Sequence, residues 1–134
     1  MPATGLNRYL PDWVVSSAPA VNTVATTTQA ASPAPAGGQG TRHVCTSITA
    51  IFAAGTTAPT AAIGTVNLRD GASGAGTVLA TFTIGVEATA GRTTLLELTG
   101  LEIIGSPNTA MTLEFTAAGG ANTFQSVTLT GHTL

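Results

Sequence analysis

The sequence predicts an all-β chain: an antiparallel β-sandwich of jelly-roll type with an extended N-terminal arm. Three observations lead there. From Arg42 onward, segment after segment alternates apolar and polar residues with a period of two. Turn signals rich in Gly, Pro and Asn recur about every dozen residues. No stretch repeats its apolar residues at helical spacing. The chain divides into an arm and linker over residues 1–40 and a sandwich over residues 41–134.

The arm is defined by composition. Pro2, Pro11, Pro19, Pro33 and Pro35 all fall within it, and it ends in Ala36-Gly37-Gly38-Gln39-Gly40. Proline removes backbone donors and blocks helix interiors, so an extended segment is expected. The same stretch holds the only tyrosine and the only tryptophan, in Tyr9-Leu10-Pro11-Asp12-Trp13-Val14-Val15. Large aromatics are out of place in a tail that floats in water. Tyr9, Leu10, Trp13, Val14 and Val15 are therefore the candidate partner-binding residues, with docking on another chain favoured and a staple on the chain's own sandwich as the alternative. Val21–Gln29 has the composition of a weak edge strand.

From Arg42 to Ala53, Val44, Ile48 and Phe52 are expected on one face and Cys45, Thr49 and Ile51 on the other. Ala54–Pro59 is a turn. The organising hairpin follows, in TVNLRDGASGAGTVLATFTI from Thr65 to Ile84. Val66 and Leu68 share a face opposite Asn67 and Arg69. Val78, Ala80, Phe82 and Ile84 share a face opposite Thr77, Thr81 and Thr83. The glycines and the Asp-Gly pair between these halves tolerate positive φ and close a wide loop.

Gly85–Gly91 is a second turn, and Arg92–Thr99 alternates around Leu96 and Leu98. Gly100 breaks the register, after which Leu101 and Ile103 continue on the other parity, as at a bulge or bend. Gly105-Ser106-Pro107-Asn108 turns again. Ala110–Thr116 alternates cleanly, with Met111, Leu113 and Phe115 inward and Thr112, Glu114 and Thr116 outward. After a turn over 117–122, Thr123–Leu134 closes the chain around Val127 and Leu129, with Phe124 near its start. This makes about seven or eight short strands, the spacing of a sandwich. An immunoglobulin-like domain would carry paired cysteines around a buried tryptophan, and this chain has neither, so the jelly roll is favoured.

Composition removes several functions. The 134 residues make one domain. Charged residues are 7% of the chain, against about 25% in ordinary globular proteins. There is no lysine, and the net charge is −2. Four arginines cannot neutralise a run of phosphates, so no nucleic acid is expected as a partner. Docking on anionic lipid is disfavoured on the same ground. No run of eighteen apolar residues is present to span a membrane, and no export leader is expected from the first residues. The 26 threonines and 23 alanines give a surface with little side-chain entropy to lose when covered.

Catalytic constellations are missing, and no enzyme is expected. His43 and Cys45 share a strand face, but with His132 as the only other imidazole they fall short of a zinc set, and neither metal nor cofactor is expected. No G-x-S-x-G accompanies the serines, and His132 lies at the last few residues. Glu97, Glu102 and Glu114 sit at outward strand positions, the pattern of a solvated sheet face, and with Glu87 they form no recognisable glycosidase pair. Asp70 is expected to cap its own turn, and Arg69 to pair with a nearby carboxylate. Gly71, Gly74 and Gly76 lack the lysine and helix of a phosphate loop.

LRDGASGAGTVLATFTI and GLEIIGSPNTAMTLEF…FQSVTLTGHTL resemble segments of small structural proteins of tailed-bacteriophage virions. The resemblance covers about residues 42–134 and rests on strand and loop patterns. It implies a capsid cement (decoration) protein: a jelly-roll homo-oligomer, dimer or trimer, on the outer surface of the capsid that bridges major capsid protein subunits. No active site is carried over. A head-fibre, tail or host-glycan-binding module of a virion is the rival reading. The phenylalanines Phe52, Phe82, Phe115 and Phe124 are expected at core-facing positions, which weighs against a glycan site.

Overall fold

The computed structural model describes residues 12–32, 40–59, 63–86 and 89–134. Among these residues are ten strands: β1 Trp13–Ser16, β2 Ala20–Val21, β3 Thr26–Gln29, β4 His43–Ala54, β5 Ile63–Asp70, β6 Thr77–Gly85, β7 Thr93–Leu98, β8 Ile103–Ile104, β9 Met111–Phe115 and β10 Thr123–Thr133. They form two antiparallel sheets. Sheet A runs β1-β10-β4-β7, with β2 continuing the β1 position beside β10 and β8 continuing the β7 position beside β4. Sheet B runs β3-β9-β5-β6. The chain crosses between sheets at every connection except β1–β2, β5–β6 and β7–β8. Pairing is mostly between strands remote in sequence, as in a double-sheet jelly roll. The expected fold class is the observed one.

The N-terminal segment departs from expectation. Within the residues read as arm, β1 pairs with β10 over four positions, β2 pairs with β10 over two, and β3 pairs with β9 over four. Trp13 is therefore already part of a sheet, and the division at residue 40 falls inside the sandwich. Proline content hid this. Pro19 sits between β1 and β2, where a missing N–H costs nothing, while Trp13 to Ser16 keeps the period of two. Tyr9 and Leu10 lie outside the described residues.

The core lies between the sheets. Ile48, Ala50, Phe52, Val127 and Leu129 of sheet A meet Val66, Leu68, Ile84, Met111, Leu113 and Phe115 of sheet B, all buried. Phe52 and Phe115 touch edge-on across the layer, with ring centroids 6.3 Å apart. Leu96, Leu98, Leu101 and Ile103 pack against this core from the edge, with the switch of parity at Gly100, whose φ is +69°.

Two bulges redirect side chains. Thr130 pairs with Ser47 but Gly131 with Cys45, leaving Thr46 as the extra residue. The slip lets Cys45 and Ile48 both face the core, so Cys45 does not share the outward face with Thr49 and Ile51. On β6, Leu68 pairs with Ala80 but Arg69 with Val78, leaving Leu79 as the extra residue. Val78 consequently points outward and is 43% exposed, contrary to its expected place beside Ala80 and Phe82. On β10, Gln125 takes the inward position and Phe124 faces out, so Phe124 is no core residue.

Candidate functional site

The described members of the candidate set divide between two faces of β1. Trp13 and Val15 turn inward and pack on the core. Val14 turns outward and is 58% exposed. Trp13 is held by a chain of polar contacts. Its Nε1–H donates to Thr133 Oγ1 at 3.3 Å, and Thr133 Oγ1 lies 3.0 Å from His43 Nδ1. His43 Nε2 is 2.7 Å from the Ala30 carbonyl, which only accepts, so Nε2 carries the proton and Nδ1 accepts from the threonine hydroxyl. The Trp13 and His43 rings meet edge to face with centroids 5.4 Å apart. Trp13 is thus the staple of its own sandwich, the alternative kept open from sequence.

His43 and Cys45 do share a face, but both imidazole nitrogens are engaged within the chain. Burial pushes the Cys45 thiol up to about 12, far from the thiolate a metal needs. Among the described residues no group of three metal-ligating side chains comes together.

Sheet A carries an apolar outer face. Its pairing aligns side chains in rows across the strands: Val21, Phe124, Ala53 and Thr93; then Ser126, Ile51 and Leu95; then Ser16, Thr128, Thr49 and Glu97. Val21 is 49% exposed, Phe124 39% and Leu95 56%. Val14 lies further along the same face beside Thr130. Glu97 is the single charge in these rows. Leu95, Ile104 and Phe124 were legible in principle: each adjoins an inward residue (Leu96, Ile103, Gln125), and in a strand one of two neighbours must face out.

The outer face of sheet B is polar and tied down. Glu114, expected in solvent, is 4% exposed. Its carboxylate accepts from Arg69 Nε, from Ser73 Oγ and, at 3.1 Å, from the Gly74 N–H. Arg69 is the expected arginine partner, and it also reaches the Gly76 carbonyl at 2.9 Å. Together these contacts fold the 71–76 loop down over β9, with Gly71 and Gly74 at φ of +119° and +72°. Burial pushes the Glu114 carboxyl up. The hydrogen bonds from Ser73, Arg69 and Gly74 and the arginine charge outweigh it and hold the group below the ordinary carboxylate range. Asp70 does accept a backbone N–H, but from Ser106 across the sheet end at 2.9 Å, so it joins two loops and does not cap its own. Glu97 and Glu102 are exposed.

A small cleft at one end of the sandwich, lined by Phe52, Gly64, Thr65, Gly119 and Gln125 among others, has a volume of about 60 Å³. That is room for a few waters and no sugar ring.

No protein-family model matches the chain, and no curated protein matches it. Among solved structures, the chain is similar to the Eiger TNF of S. frugiperda, at 6% identity over 90% of this chain and 93% of that one, with a TM-score of 0.42. It is also similar to a chain of infectious bursal disease virus, Gt strain, at 16% identity and a TM-score of 0.43. The match covers 97% of this chain and 36% of the viral one, so this chain spans about a third of that protein. A family 16 carbohydrate binding module is similar at 13% identity over 85% of this chain and 72% of that one, with a TM-score of 0.32.

Proposed function

We propose that this protein is a non-enzymatic structural protein of a phage virion: a cement protein that binds the outside of the capsid, bridges major capsid protein subunits, and self-associates. The observation that carries this reading is the outer face of sheet A. Phe124, Val21, Ile51 and Leu95 lie in adjoining rows there with small hydroxylated neighbours and a single carboxylate. Such a face covers apolar surface on a partner without desolvating many charges. The resemblance of the Leu68–Ile84 and Gly100–Leu134 stretches to virion proteins supports the same assignment.

A ligand that binds the assembled shell and not loose subunits stabilises the shell by mass action. Contacts repeated over symmetric sites act together, so each can be modest. Low net charge lets many copies crowd on one surface.

The test is co-sedimentation of the full chain with capsids lacking it. Saturable binding at a fixed copy number per shell, lost in Leu95→Asp and Phe124→Asp, is expected. Absence of binding by the wild-type chain overturns the reading in favour of a head-fibre, tail or glycan-binding module, for which the half-exposed Phe124 ring would be the first residue to examine.

A further inference from the structure

The four sheet edges are not alike. On sheet A, β1 and β2 have four and two residues and are parted by a segment containing Pro19, while β7 and β8 have six and two and are parted at Gly100. On sheet B, β3 has four residues. Short or interrupted edges are how proteins keep unpaired backbone from recruiting another strand. The remaining edge, β6, runs nine residues as TVLATFTIG, with no proline and no charge, and beyond the extra residue Leu79 it continues regularly over residues 80–85. Among the described residues it pairs only with β5. The outer rim of N–H and C=O groups over residues 80–85 is about 20 Å long. Leu79, Ala80 and Phe82 on the same strand are only partly buried against the core.

We propose that β6 is a self-association edge, on which two copies of this chain pair β6 to β6, antiparallel, across a two-fold axis at Phe82. The strand is self-complementary in three respects. It carries no charge, so two copies meet without repulsion. The adjacent charges on β5 are already engaged, Arg69 with Glu114 and Asp70 with the Ser106 N–H. Antiparallel pairing about an axis at Phe82 also preserves side-chain parity over residues 80–84, clear of the bulge. It sets Thr81 against the partner's Thr83 on the outer face, and on the core side Phe82 against its counterpart and Ala80 against the partner's Ile84. The product is a continuous eight-position sheet. An edge this narrow covers less than a standard interface, so dissociation is expected on the order of micromolar. This deepens the self-association part of the proposed function, and it uses none of the residues on the outer face of sheet A.

The experiment is sedimentation velocity on the full chain over a concentration series, with two double variants, Thr81→Lys/Thr83→Lys and Thr81→Glu/Thr83→Glu. The wild type is expected to dimerise, each double variant to sediment as a monomer, and their equimolar mixture to dimerise again. A wild type still monomeric at about 100 µM, well above a weak-interface dissociation constant, overturns the proposal. So does a pair of variants that remain dimeric when each is alone. Thr81 donates to Asn67 Oδ1 at 2.9 Å; if its replacement unfolds the chain, the exposed Thr83 alone, as Thr83→Lys and Thr83→Glu, carries the same charge-swap readout. Co-sedimentation of the same variants with capsids separates the two readings, because loss of dimerisation with retained attachment, or the reverse, assigns each to its own surface.

Discussion

The indole of Trp13 rests directly on Gly131. A Cβ built on Gly131 would stand 2.6 Å from the Trp13 ring and 2.1 Å from the Val44 carbonyl oxygen. Neither approach is tolerable, and the carbonyl cannot swing away because β4 holds it in the ladder. Gly131 is also where the β10–β4 register slips. One missing side chain therefore seats the aromatic that clamps β1 to the sandwich.

Gly131→Ala is expected to destabilise the fold by about 3 kcal/mol, the upper range for overpacking a filled site. Trp13→Ala is expected to cost about the same by emptying the seat. Urea denaturation of both variants checks this, and their combination should cost less than the sum, because the clash with the ring goes when the ring does, while the one with the Val44 carbonyl remains.

Truncation follows from the strand pairing. Deleting residues 1–40 removes β1, β2 and β3 and strips β10 and β9 of one neighbour each. That variant is expected to lose its cooperative thermal transition, whereas deletion of residues 1–11 should retain it. Circular dichroism melts of the two distinguish this from an arm that is dispensable for folding.

Glu114 makes stability depend on acid. Its folded carboxyl titrates below its ordinary value of 4.5, so its contribution is fully present above that pH. The contribution is lost as pH falls through the lowered folded value. Glu114→Gln is expected to cost about 3 kcal/mol at pH 7, because Arg69 is left without its carboxylate. The variant should also show a flatter decline in stability below pH 4.5 than the wild type, read from denaturation midpoints across that range.

Cys45 is 0% exposed and its thiol is pushed up to about 12 by burial. A thiol reagent at pH 8 is expected to leave the native chain unlabelled over hours and to label it promptly in denaturant. Fast labelling of the native protein would mean that the β4–β10 bulge opens readily.

Much of this was legible from the sequence. The alternation in Met111–Phe115 and in Thr65–Leu68 named the inward residues correctly, and Gly100 marked the switch of parity before Leu101. Proline-rich composition concealed β1, whose partner β10 lies about 100 residues downstream and leaves no local trace, whereas β3 falls within the edge strand expected over Val21–Gln29. Glu114 reads from sequence as one more outward residue on an alternating strand, because the loop that covers it comes from another hairpin.

Period, turn residues and the poverty of charge determined by themselves that this chain is an antiparallel sandwich with a lightly charged surface, because those signals act between neighbours in the chain. Tertiary structure alone decided which outward residues stay wet. Burial of Glu114, exposure of Phe124, the inward turn of Trp13 and the pairing of β6 on one side only among the described residues all depend on which remote segment lies alongside. Bulges at Thr46 and Leu79 enter there too, since one extra residue reverses the facing of every side chain beyond it and only the partner strand reveals where the extra residue sits.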